Sequence, residues 1–229
     1  MDAEWVFLAV SLALLTAALA VLAGRSLLRF LRQHEPTQAM WAGGMSLAAA
    51  AMAIEAAVFV GYTSTVLLEG YVFASAALVG LLSIGCSHVI RVRWFVKTYA
   101  GFILAACAAL AFLSFSTPLP SSMVSNGIIS GDPPLSLLIV SSIVTGPATI
   151  VLLAASVVSL RRSHRWQTLM IIAGALVLGT GGSLYIASFP VFLYYAEFIG
   201  IVLLFAGVVS LPTPARLGAP DGRLSGAAS

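Results

Sequence analysis

The sequence predicts an all-α membrane protein, a bundle of seven transmembrane helices, and three observations carry that expectation: the apolar content, the length of the apolar runs and the placement of charge. Of the 229 residues, 60% are hydrophobic and 8% charged, against about 25% charged in a soluble domain. Seven apolar runs each approach the roughly 20 residues that cross a hydrocarbon core. All 11 lysines and arginines fall between or after those runs. The net charge of +3 and pI near 9.1 therefore do not describe a nucleic-acid binder, which needs a basic cluster on a folded, water-exposed surface.

The first run covers residues 5–24. Asp2 and Glu4 stand where a signal peptide would carry basic residues, and no cleavage pattern follows, so it is expected as a retained helix. The next runs are 40–61, 66–90, 98–115, 135–160, 167–189 and 191–211. Residues 1–211 are thus expected as one membrane domain, and 212–229, rich in Pro and Gly and without apolar periodicity, as a disordered tail. The connector 116–134 is long enough for a lid, although its Pro, Ser and Gly content also suits a plain connector. Pro147 removes a backbone hydrogen bond inside the fifth run and is expected to kink it, with a pocket beside the kink.

Orientation follows from the basic residues. Arg25, Arg29 and Arg32 follow the first run, Arg91, Arg93 and Lys97 the third, and Arg161, Arg162 and Arg165 the fifth, while Arg216 and Arg223 are in the tail. The opposite side holds Asp2, Glu4, Glu69 and Asp132 and no basic residue. The positive-inside rule then places the N-terminus outside and the C-terminus in the cytoplasm of a cell membrane. Trp5, Trp41, Trp94 and Trp166 fall near the run ends, as an interfacial belt requires. Runs one to three and five to seven share topology and a glutamate near the outer end of the third member, Glu69 or Glu197, which points to a three-one-three repeat or to compositional likeness alone.

Helices in lipid approach closely where small residues recur every four positions. Ser142, Gly146 and Ala154 in run five, and Ala175, Gly179, Ser183 and Ala187 in run six, meet that condition. These faces are the expected helix contacts, and the expected surface for a membrane-protein partner.

Ionisable groups within the membrane are the first candidates for function. Glu55, Glu69 and Glu197 all fall in the outer half, with Glu55 about 9 Å from the end of its run at about 1.5 Å per residue. Tyr71, Tyr185, Tyr194 and Tyr195 lie in the same half, as does Tyr62, and no basic side chain accompanies them. Helical spacing puts Glu55, Phe59 and Tyr62 on one face, and Tyr194, Glu197 and Ile201 on another. The candidate ligand-binding set is therefore Glu55, Glu69, Glu197, Tyr71, Tyr185, Tyr194 and Tyr195, suited to a proton, a cation or a small solute in a transporter-like or receptor-like protein. In the alternative, the same carboxyls only bond helices together and the chain is an accessory or assembly subunit of a membrane complex.

Enzymatic classes find no support. His34, His88 and His164 lie near the basic side without metal-ligand spacing, no GxSxG elbow occurs, and Cys86 and Cys107 sit in apolar runs as small hydrophobes. No catalytic set, metal site or cofactor is expected.

The topology resembles the rhodopsin plan, which implies a seven-helix bundle. Retinal pigments need a lysine in the seventh helix, however, and the only lysine is Lys97. It also resembles the SWEET sugar transporters, without their Pro-Gln signature. WAGGMSLAAAAMAIEA (41–56), EGYVFASAALVGLLSIG (69–85) and YYAEFIGIVLLFAG (194–207) resemble a group of prokaryotic seven-transmembrane-helix membrane proteins. That resemblance implies the fold and carries no activity.

Overall fold

The computed structural model describes residues 3–34, 36–90, 92–120, 123–125, 128–129 and 133–163, and beyond them 166, 169–174, 176–177, 196, 199–203 and 206. Among the described residues five long helices are present: α1 (Ala3–Gln33), α2 (Pro36–Phe59), α3 (Thr65–Ser87), α4 (Arg93–Ser116) and α5 (Leu135–Ser163). All five contain a stretch long and apolar enough to cross a membrane, so the chain is a multi-pass membrane protein. The runs expected at 167–189 and 191–211, which are the last two members of the suspected repeat, fall largely outside the described residues, as does the tail.

Except at α3, the helices exceed their apolar runs at the basic end. α1 continues through Arg25, Arg29 and Arg32 to Gln33, because Leu and Arg are strong helix formers and an exposed arginine needs no partner in the headgroup layer. The expected connector 25–39 is therefore mostly helix. His34 ends α1 in the left-handed region at φ 53°, its N–H donating to the Phe30 carbonyl at 2.7 Å. Pro36, whose missing N–H costs nothing at a first helical position, opens α2. At the far end of α2, Gly61 at φ 99° turns the chain, and Ser64 caps α3 by accepting from the Leu67 N–H at 3.3 Å. α3 closes in a 3-10 turn, His88–Ile90, which leads into α4.

α3 is the most enclosed helix and packs against α2, α4 and α5. Glycine permits its closest approaches. A Cβ on Gly44 would stand 2.8 Å from the Leu82 side chain and 3.4 Å from the Leu78 carbonyl, and one on Gly85 would meet the Trp41 ring at 2.6 Å. Gly80 brings α3 equally close to Ile103 on α4 and Val144 on α5. Among the described residues the expected contact face of run five does not perform this role. Ser142, Gly146 and Ala154 are exposed, and a Cβ on Gly146 would meet nothing within 4 Å. Instead α5 buries Leu137, Val144, Ala148, Val151, Leu152 and Ala155. α5 is helical through Pro147 from Leu135 to Ser163. Lipid-sized side chains such as Leu14, Val21, Leu28, Phe112, Ile139 and Ile150 point outward, as a surface solvated by hydrocarbon should.

The connector after α4 is not a free strand of chain. Val124–Ser125 (β1) and Ile128–Ile129 (β2) pair antiparallel, Val124 opposite Ile129. Leu119, Met123 and Ile129 are buried in the same apolar cluster as Val58, Leu68, Tyr71 and Leu137, and β2 touches α2. The segment is folded onto one end of the bundle by its apolar residues.

Candidate functional site

The register of neighbouring helices decides which polar groups share a level. α2 and α3 run antiparallel, Gly43 meeting Leu81, Gly44 meeting Leu82, and Ile54 meeting Gly70. Glu55, next along α2, is therefore level with Glu69, one step before Gly70. α3 and α4 run antiparallel as well. Ser83 hydrogen-bonds Tyr99 at 2.6 Å, Gly80 faces Ile103 and Cys107, and the Phe73 and Phe115 rings lie 6.3 Å apart. On that register Ser114 is level with Tyr71. One layer at the end of the bundle away from Arg25, Arg29, Arg32, Arg93 and Lys97 thus holds Glu55 from α2, Glu69 and Tyr71 from α3, and Ser114 from α4.

All four are withdrawn from the surface. Glu55 is 3% exposed, Glu69 8%, Tyr71 6% and Ser114 0%. A side-chain hydrogen bond joins Tyr71 to the Glu55 carboxyl. The other carboxyl oxygen, Oε2, has no hydrogen-bond partner among the described residues, and neither has the Ser114 hydroxyl oxygen. Buried polar atoms are normally paired, since leaving one unpaired costs about 1–3 kcal/mol. These two are the buried side-chain oxygens without partners among the described residues, and both fall in the same layer. The folded connector lies over this end, with Leu119, Met123 and Ile129 in its contact with the bundle.

The polar groups of the basic half are satisfied locally. Ser83 donates to the Gly80 carbonyl at 2.7 Å and pairs with Tyr99, while Ser87 donates to the Ile84 carbonyl at 2.7 Å. Such back-bonding to the preceding turn is what a serine in an apolar helix does when it has no other task. Cys107 is buried and Cys86 half-buried, both as free thiols. Among the described residues no group of three His, Cys, Asp or Glu side chains gathers to hold a metal.

Of the sequence-derived candidates, the structure brings together Glu55, Glu69 and Tyr71. Glu197, Tyr185, Tyr194 and Tyr195 lie outside the described residues. Tyr62 does not extend the Glu55 face, because α2 ends at Phe59 and Tyr62 is 71% exposed beyond it. Ser114 is the member that sequence reasoning missed. A serine in an apolar run is unremarked until the register shows what it stands beside. Comparison with protein-family profiles, with curated proteins and with solved structures yields no significant match, so no family is identified and the site is read from its chemistry.

Proposed function

We propose that the layer of Glu55, Glu69, Tyr71 and Ser114 is a binding layer for a proton, a cation or a small solute carrying a cation, in a transporter-like or receptor-like membrane protein. Its access is from the side opposite the basic residues, read as the outside of a cell membrane, beneath the paired strands β1 and β2. One observation carries this reading: two buried oxygens without partners among the described residues, one on a carboxyl and one on a hydroxyl, occur at the same level. Two carboxyls at one depth without a basic neighbour repel each other when both are ionised, and a shared proton or cation relieves that repulsion. Ser114 adds a neutral oxygen of the type that completes a cation's or an amine's shell. Glu197, Tyr185, Tyr194 and Tyr195 belong to the same proposal through their positions in the outer half of the sequence.

The Tyr71 hydrogen bond to Glu55 favours a second reading. In it the pair bolts α2 to α3, and the chain is a non-catalytic subunit that assembles with other membrane proteins.

Thermal unfolding of the purified full chain separates the two, with Na⁺, K⁺, Mg²⁺ and small amines added singly to wild type and to Glu55→Gln. A ligand at 100 times its dissociation constant stabilises by about 2.7 kcal/mol. The binding reading expects a midpoint rise in wild type that Glu55→Gln abolishes. A panel without effect, together with a neutral or stabilising Glu55→Gln, would leave the assembly reading.

A further inference from the structure

The geometry points to a second site at the other end of the bundle: a phosphate-binding recess at the elbow between α3 and α4, formed by His88, Arg93 and Lys97. An open recess of about 460 Å³ is lined by these three residues and Val96, a volume within the roughly 300–1,000 Å³ of small-molecule sites. Among the described residues no acidic side chain lines it. Arg93 and Lys97 are one helical turn apart on the first two turns of α4, so their side chains converge on one face and act on a single anion. The first turn adds backbone donors, since Val92 at the cap position makes no side-chain capping bond. His88 is oriented by its backbone. Its Nδ1–H donates to the Ile84 carbonyl at 3.1 Å, so Nε2 is the nitrogen left for a ligand, and it donates to a phosphate oxygen in the imidazolium form.

The depth of the recess specifies the chemistry further. Trp94, adjoining Arg93, is 76% exposed, and an indole presented outward at a helix end belongs at the headgroup level. The recess therefore opens where lipid phosphates are concentrated, and a guanidinium beside an ammonium matches a phosphate that has no cation of its own. The group recognised is a phosphate, supplied by an anionic lipid headgroup or by phosphate free in solution. This site does not depend on the carboxylate layer, from which it is separated by most of the length of α3.

The test uses the full chain in detergent, with native mass spectrometry for phosphatidylglycerol and phosphatidylcholine and thermal midpoints for inorganic phosphate. The variants are Arg93→Gln with Lys97→Gln, the charge-conserving Arg93→Lys with Lys97→Arg, and Arg32→Gln as an exposed cation outside the recess. Each cation of the recess is expected to be worth about fivefold in affinity for a phosphate held there, so the neutral pair is expected to weaken phosphatidylglycerol binding about thirtyfold. The other two variants retain it. That pattern with phosphatidylglycerol alone supports the site with the lipid as source, and the same pattern with inorganic phosphate supports it with solution as source. Unchanged binding in the neutral pair, or phosphatidylcholine held as tightly as phosphatidylglycerol with no effect of inorganic phosphate, overturns it.

Discussion

The two ends of this bundle hold their charges in opposite ways. At one end Arg25, Arg32, Arg93 and Lys97 are exposed, on helices that run past their apolar stretches. At the other, Glu55 and Glu69 are buried beneath a folded connector. An exposed cation at a membrane boundary costs little and fixes how the chain sits in the bilayer. A buried carboxyl is expensive wherever it is ionised and unpaired, so it persists only with a task, as a ligand or as a bolt between helices. The same residue class, charge, thus reports topology at one end and, on the proposed reading, function at the other.

Six substitutions, two of them controls, test that contrast. The largest effect is expected where α2 and α3, which carry the layer, are joined: Gly44→Leu drives a side chain into Leu82 and toward the Leu78 carbonyl. Overpacking of this kind costs about 1–3 kcal/mol or more, read as a lowered midpoint, whereas Gly146→Leu faces open space and is expected to be near neutral. Glu55→Ala removes the acceptor of Tyr71 and is expected to cost about 1–3 kcal/mol in the absence of ligand. Equal tolerance of Glu55→Ala and Arg32→Gln would erase the distinction between the ends. Ser83→Ala breaks the buried bond to Tyr99 and is expected to cost about 1 kcal/mol. Ser114→Ala removes an oxygen with no partner among the described residues, so it is expected to be neutral or slightly stabilising without ligand while weakening any ligand's midpoint shift.

Much of the membrane plan was legible in the sequence. Runs one to five are helices because continuous apolar stretches bounded by Arg, Pro or Gly have few other solutions in lipid. The helices run past the apolar stretches at Arg25–Arg32 and at Arg93–Lys97, because hydropathy reports the hydrocarbon boundary whereas a helix ends where its hydrogen bonding does. Helix contacts were legible only in part. Ser142, Gly146 and Ala154 satisfy the spacing rule on one helix, but a contact needs a matching face on a second, and that match is found between Gly43, Gly44 and Gly85 and the large side chains opposite them. The site shows the same limit. Glu55 and Glu69 were singled out by charge alone, yet their common level, and the place of Ser114 beside them, depend on interhelical register, which no single run contains.

On the proposed reading a cation reaches the layer of Glu55 and Ser114 from the end away from the basic residues. Ser114→Cys, in a chain with Cys86→Ala and Cys107→Ala, puts a thiol of nearly serine size at that level, and its reaction rate with cationic and anionic methanethiosulfonates of similar size can be measured from either face. The account predicts reaction from the acidic face, faster with the cationic reagent, and loss of that preference when Glu55→Gln is added. A thiol that stays unreactive from that face, or reacts equally with both reagents whether or not Glu55 is present, would contradict it.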